Sequence, residues 1–292
     1  RVGRDGAQSQ SAAGGAVTLW VNGAIVDDDA LVIRADDHGL VVGDGVFETC
    51  EVRDGQPFAL TRHLRRLRES AAGLFLTYDE GLVLDGIDSV LGTGVDRARL
   101  RITVTGGPSP YGSDRGDAPP TVMVGTGPLK EWPETDEVAV VPWTRNERAA
   151  TAGLKTTSYA DNVVALRWAH ERGAAEAIFT NTRGEVCEGT GSNVFYEEDG
   201  ALVTPPLSSG CLAGITRELL LEWLRAEGVV VREDAQPIER LRMAREAFLT
   251  SSTRRIQAIG AIDSSLYAGA PGPLTRRAKE IFEKYAAQDL DP

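Results

Sequence analysis

The sequence predicts a mixed α/β protein of two domains, and three observations predict it. Strand and helix patterns alternate along the chain. Residues 98–105 alternate apolar and polar with period two, whereas 61–74 repeat with the helical period. A glycine- and proline-rich interruption at 126–136 precedes a fresh strand pattern at Val138–Val141. The 292 residues are enough for two modest cores. The division expected is a tail at 1–16, an N-terminal domain at 17–125, a linker at 126–136 and a C-terminal domain at 137–292.

In the first half, Thr18–Val21 reads as a strand followed by the hairpin signal Asn22-Gly23. Leu31–Ile33 is expected to be another strand. Asp36-Asp37-His38-Gly39 and Gly43-Asp44-Gly45 interrupt the pattern, Val46–Arg53 resumes it, and Asp54-Gly55 turns it. Thr61 is expected to cap a helix with Leu64, Leu67, Ala71 and Leu74 on one face and Arg62, Arg65, Arg66 and Arg68 on the rest. Leu82–Leu91 predicts a second helix. On the strand Ala98–Thr105, Arg99 and Arg101 share the polar face, which either meets an acidic ligand or is simply exposed. A long glycine- and proline-rich loop follows at Gly106–Pro120, then a strand at Thr121–Val124.

In the second half, Thr151–Ala160 shows no clear period and carries Lys155. Asn162–Arg172 predicts a helix stopped by Gly173, and Ala177–Thr180 a strand. The segment Glu188-Gly-Thr-Gly-Ser-Asn193 sets one acid among small residues and suits neither helix nor strand interior. Val194–Tyr196 and Ala201–Thr204 form a hairpin about Asp199-Gly200. Gly214-Ile215-Thr216 opens a helix, and a glycine-flanked helix start offers free N–H groups to an anion. Taken singly, the glycine loop and the helix start also read as an ordinary turn and cap. Strands at Val229–Val231, Phe248–Thr250 and Ile256–Ile262 and a helix at Leu274–Tyr285 complete the chain.

Composition narrows the function. Hydrophobic content of 42% and charged content of 25% are those of a soluble globular protein. A formal charge of -12 argues against non-specific binding to nucleic acid or an anionic membrane. No apolar run approaches spanning length, and residues 1–16 lack a signal-peptide core. Cys50, Cys187 and Cys211 show no C-x-x-C spacing, so a reduced, cytoplasmic setting is expected. His38, His63 and His170 match no ligand spacing, so no metal is expected.

Five separated segments then carry a resemblance. They are Gly43-Asp-Gly-Val-Phe-Glu48, His63-Leu-Arg-Arg-Leu67, Lys155 with Tyr159, Glu188-Gly-Thr-Gly-Ser-Asn-Val-Phe195, and Gly214-Ile-Thr-Arg217. From about Leu19 to about Lys284 the chain resembles the class IV (fold type IV) pyridoxal-phosphate aminotransferases. That family includes branched-chain and D-amino acid aminotransferases, R-selective amine transaminases and aminodeoxychorismate lyases. The resemblance implies a homodimer with the active site between the two domains and pyridoxal 5′-phosphate as cofactor. It implies that Lys155 carries the cofactor as a Schiff base and shuttles the substrate proton, and that Glu188 pairs with the pyridine nitrogen. By the same resemblance, Arg66, Ile215, Thr216, Ser251 and Ser252 hold the phosphate, Tyr159 meets the ring oxygen, Leu212 packs on the ring, and Arg101 and Thr253 face the substrate. Glu185 is expected to face solvent, and the loop from Gly106 to Arg115 to reach towards the neighbouring site.

The chain departs from its relatives around the substrate. Lys155-Thr-Thr-Ser-Tyr159 replaces the Gly-Gly-Asn that usually follows the lysine of branched-chain enzymes. The loop Gly107-Pro-Ser-Pro-Tyr-Gly-Ser-Asp-Arg115 lacks the histidine of typical D-amino acid enzymes, and Val42 stands where an aromatic often precedes Gly-Asp-Gly. The function expected is transfer of an amino group from an amino acid, with a lean to D-amino acids, or from a primary amine, to a 2-oxo acid. One alternative is a lyase releasing pyruvate from aminodeoxychorismate. A non-catalytic cofactor-binding protein is the other, which loss of Lys155 or Glu188 would have favoured.

Overall fold

The structure, a computed structural model, describes residues 17–27 and 29–292. The tail expected at 1–16 lies outside the described residues. In chain order the first elements are β1 (Thr18–Val21), β2 (Ala24–Val26), α1 (His38–Val41), β3 (Gly45–Arg53), β4 (Gln56–Pro57), α2 (Leu60–Gly73), α3 (Glu80–Leu91), β5 (Ala98–Thr105) and β6 (Thr121–Gly127). Their six strands form one antiparallel sheet in the order β2-β1-β6-β5-β3-β4, with Gly45 opposite Thr105 and Val52 opposite Ala98. The Asn22-Gly23 turn joins β1 to β2, and both residues take positive φ, 45° and 106°, as a two-residue hairpin demands. Helices α2 and α3 cover one face, where Leu64, Leu67, Val83 and Ile87 meet Val46, Cys50, Leu100 and Ile102 in a single core.

Two expectations fail here. Leu31–Ile33 is irregular backbone, with the Val32 amide donating locally to the Ala30 carbonyl. Thr61 does not cap α2. The helix starts one residue earlier, after Ala59 in the left-handed region (φ 56°), and the Thr61 amide donates 2.8 Å to the Asp291 carboxylate. A remote acid thus does the work of a local cap.

After irregular residues 128–134 come β7 (Thr135–Arg145), α4 (Ala160–His170), β8 (Glu176–Asn181), β9 (Val186–Gly189), β10 (Asn193–Glu198) and β11 (Ala201–Thr204). Then follow α5 (Ile215–Ala226), β12 (Val231–Glu233), α6 (Ile238–Met243), β13 (Ala247–Ser251), β14 (Arg255–Ile262), β15 (Ser265–Leu266) and α7 (Pro273–Ala286). The nine strands run β12-β11-β10-β13-β14-β7-β8-β9, with β15 on β14. Helices α5 and α7 pack Leu219, Leu220, Trp223 and Phe282 against Phe195 and Phe248 of the sheet. Among the described residues, no helix is long and apolar enough to cross a membrane.

The two sheets are joined by packing and by backbone. Phe58 and Ala59, next to α2, lie in the α5–α7 core. The start of β3 is stitched to the segment before α4: Phe47 N donates to Lys155 O at 3.0 Å, and Thr157 N to Gly45 O at 2.8 Å. A lysine in a stretch without period is thereby fixed by the neighbouring sheet.

Candidate active site

A cavity of about 680 Å³ opens where the two sheets meet. All the residues singled out from the sequence line it: Arg66, Arg101, Lys155, Tyr159, Glu188, Leu212, Ile215, Thr216, Ser251, Ser252 and Thr253. They come from six separate stretches of the chain, which is why no local pattern could have grouped them.

Lys155 is half-buried, with Nζ 4.2 Å from the centre of the Phe47 ring. Burial, with Arg66 and Arg101 nearby, brings its pKa down to about 8, against the opposing pull of Glu48 and Glu188. Tyr159 opens α4 and meets Phe47 edge-on at 5.2 Å, and burial together with Glu188 pushes its hydroxyl up to about 12.

Glu188 lies on β9 opposite Phe179, not in a free loop as expected. The antiparallel pairing with β8 extends through Gly189, so the turn falls at the residues after it. One Glu188 oxygen accepts the Leu212 amide at 2.8 Å, and the other faces Arg145 Nε at 3.3 Å. Burial raises the Glu188 pKa, with Arg145 and the Leu212 amide pulling the other way. Glu185 is half-buried outside the cavity, where it accepts from Asn181 and pairs with Arg183.

Gly214 precedes α5, so the first amides of that helix, at Ile215 and Thr216, have no partner within it. A Cβ on Gly214 would overlap the Asn193 amide oxygen, and Asn193 itself donates to the Leu212 carbonyl at 2.9 Å. Arg66 lies beside this helix start: its Nη1 donates to Ala213 O at 2.8 Å, while Nε and Nη2 each donate 2.7 Å to the carboxylate of Glu48. Of its five N–H groups two remain uncommitted. The other α2 arginines are not merely solvated. Arg62 pairs with Glu218 and Glu222, Arg65 with Glu218, and Arg68 with Glu80.

Arg101 projects from β5 with its guanidinium 3.9 Å above the Phe47 ring; its hydrogen-bond partner is Thr103 Oγ1 at 3.3 Å. It is exposed through the open cavity, yet the surrounding protein, and then Arg99, lowers its pKa. Arg99 lines the same wall. The long loop after β5 is fastened down: Arg115 Nε donates to Asp44 at 2.7 Å, and His38 lies between Asp44 and the Gly112 carbonyl.

Glu48, His63 and Arg145 received no role from the sequence. Glu48 is wholly buried, accepts from Arg66, and lies 2.6 Å from His63 Nδ1. Period-two alternation would have found it, because Val46, Glu48, Cys50 and Val52 share the buried side of β3. Likewise His63, Arg66, Leu67, Ser70 and Ala71 form one helical stripe, all buried. Arg145 ends a long, irregular strand, where no period signals it.

The site fits pyridoxal phosphate on three counts. The α5 start, where a Cβ has no room, leaves free amides beside Arg66, which suits a phosphate. A buried carboxylate faces the cavity for a ring nitrogen, and a lysine of lowered basicity stands within the same cavity.

The amino-transferase class IV family model matches residues 45–262. The chain is 30% identical to the aminodeoxychorismate lyase of Bacillus subtilis over 275 residues, covering 91% of this chain and 94% of that one. It is 29% identical to a D-alanine aminotransferase of Staphylococcus epidermidis over 275 residues, covering 91% and 97%. The crystal structure of the branched-chain aminotransferase of Thermoproteus uzoniensis with norvaline superposes with a TM-score of 0.84 at 28% identity, covering 91% of this chain and 93% of that one.

Proposed function

This chain belongs to the class IV aminotransferases, which depend on pyridoxal phosphate, and on that premise we propose that it moves an amino group from an α-amino acid, with a preference for the D-enantiomer, to a 2-oxo acid. The observation that carries the reading is Lys155: half-buried at the cavity wall, basic near neutral pH, and fixed by the β3 backbone. A neutral fraction of Lys155 is available as nucleophile at physiological pH.

When bound, the cofactor supplies an electron sink for the pair left as a proton departs the substrate α-carbon. The residues do the rest. Lys155 Nζ takes and returns that proton, and Phe47 beneath it keeps water from one side. Glu188, held by Arg145 and the Leu212 amide, would keep a positive charge on the ring nitrogen. Tyr159 would hold the ring oxygen and Leu212 would pack on the ring, and the α5 amides with Arg66, Ser251 and Ser252 would hold the phosphate. Arg101, with Thr253 across the cavity, receives the donor carboxylate, for which a charge-assisted hydrogen bond contributes about 1.5–3 kcal/mol.

Similarity to D-alanine aminotransferases and the absence of Gly-Gly-Asn after Lys155 support the D preference. The similarity to the Bacillus subtilis lyase favours pyruvate release from aminodeoxychorismate as a second reading, since the cofactor-facing residues would serve both. The domain division at 126–136 and a homodimer belong to the same proposal. Exposed Leu40, Val42, Phe75 and Tyr111, around the fastened loop, supply the apolar surface for a second copy.

A donor screen tests the reading: D-amino acids, L-amino acids, R-amines and aminodeoxychorismate, on wild type and Arg101→Leu. D-amino acids should lead. Arg101→Leu should lose roughly ten- to hundredfold with carboxylate donors and spare plain amines. Equal loss with both donor classes would remove Arg101 from carboxylate binding, and 4-aminobenzoate as the main product would install the lyase instead.

A further inference from the structure

His63 is 1% exposed and stands between two cavity elements. Its Nδ1 is 2.6 Å from Glu48 Oε2, and its Nε2 is 3.3 Å from Ser252 Oγ. Glu48 is held ionised, far below the usual carboxylate range, by Arg66 and His63 against the cost of its burial. A carboxylate oxygen only accepts, so the hydrogen in the short contact belongs to Nδ1. A neutral imidazole then presents a lone pair at Nε2, and the donor facing it is the Ser252 hydroxyl. In that state the hydroxyl hydrogen points to the histidine, and Ser252 offers only lone pairs to the cavity. An imidazolium reverses this. Nε2–H donates to Ser252 Oγ, and the hydroxyl hydrogen is free to point at an anion.

We infer that His63 is a positioning residue that sets the direction of the Ser252 hydroxyl, so that seating a phosphate dianion against Ser252 is coupled to uptake of one proton at His63. The inference rests on the phosphate seat proposed above. The proton comes from solvent and forms the Nε2–H bond, while the Ser252 hydrogen rotates from the imidazole to a phosphate oxygen and stays on its own oxygen. The charged groups facing His63 are Glu48 on β3, Arg66 on α2 and Lys155 before α4. Burial, Arg66 and Lys155 outweigh Glu48 and lower its pKa, so the ring is neutral before the anion arrives. A dianion beyond Ser252 adds the negative charge that shifts the balance.

The test is calorimetric titration of the full chain, freed of cofactor, with pyridoxine 5′-phosphate. This ester lacks an aldehyde and cannot link to Lys155. At pH 8 its phosphate is already dianionic, and two buffers of different ionisation enthalpy give the protons taken up. Wild type should take up more protons than His63→Asn or Ser252→Ala, by up to about one proton. Any uptake at Lys155 is shared by all three and cancels in the difference. Ser252→Thr, which keeps a hydroxyl, should restore the wild-type value. His63→Asn retains a donor for Glu48, and Ser252→Ala reads the coupling independently should the buried histidine prove necessary for folding. Equal uptake in wild type and Ser252→Ala overturns the inference while leaving the phosphate seat intact. Failure of wild type to bind the ester, or binding of unphosphorylated pyridoxine as tight as that of the ester, overturns both.

Discussion

At the scale of single residues, Lys155 and Glu188 are shifted towards neutrality by burial, and each shift has a measurable sign. The pKa of Lys155 falls from its ordinary 10.5 to about 8. Its ammonium is therefore disfavoured in the fold, at no cost above pH 10.5 and at full cost below pH 8, where the shift amounts to roughly 3 kcal/mol. Lys155→Met should stabilise the cofactor-free protein in denaturant unfolding, more at pH 7 than at pH 9.5, and should abolish any borohydride-stable cofactor adduct. A gain independent of pH would show that packing, not charge, is responsible. Glu188→Gln should retain the cofactor but slow the donor half-reaction on the order of a hundredfold, read by stopped-flow absorbance. Lys155 and Glu188 were legible as a pair only through their order in the chain. Glu48 and His63 were legible in the periodicity itself, since a charged residue on a buried stripe requires a partner. Arg145, on an irregular strand end, offered no such signal.

At the scale of elements, several boundaries that follow side-chain periodicity came out within a residue or two. The strand at Ala98–Thr105 matches to the residue, and the helix expected to open at Gly214-Ile215-Thr216 begins at Ile215. The strands expected at Thr121–Val124 and Val138–Val141 run further, to Gly127 in β6 and over Thr135–Arg145 in β7. Leu31–Ile33 has β-branched residues but irregular backbone, with the Val32 amide bonded locally to Ala30, and α2 begins at Leu60 after a left-handed Ala59, with the remote Asp291 serving the Thr61 amide. The α5 start gives an element-level prediction. Gly214→Ala should displace Asn193, release the Leu212 segment that holds Glu188, and cost about 1–3 kcal/mol of stability. Cofactor retention after dialysis should fall with it. Retention like that of wild type, at unchanged melting temperature, would show that the helix start tolerates the methyl group.

At the scale of the whole molecule, two sheets share one cavity, and their junction is made by residues far apart in sequence. The exposed Leu40, Val42, Phe75 and Tyr111 predict a dimer of about twice the monomer mass by light scattering, and Phe75→Glu with Leu40→Glu should give monomers that keep their secondary structure. A monomeric wild type at micromolar concentration would contradict it. The sequence could reveal two cores but not their seam, because Phe58 and Ala59 lie beside the first helix and pack into the second core. The clasp of Asp291 on Thr61, 230 positions apart, carries a consequence for the order of assembly. A ribosome adding about 5–20 residues per second makes the acid roughly 10–50 s after the threonine it serves. For that interval the nascent first half holds an uncapped helix start and an uncovered Phe58, and it is then that a chaperone or a chance encounter between two such chains would find them.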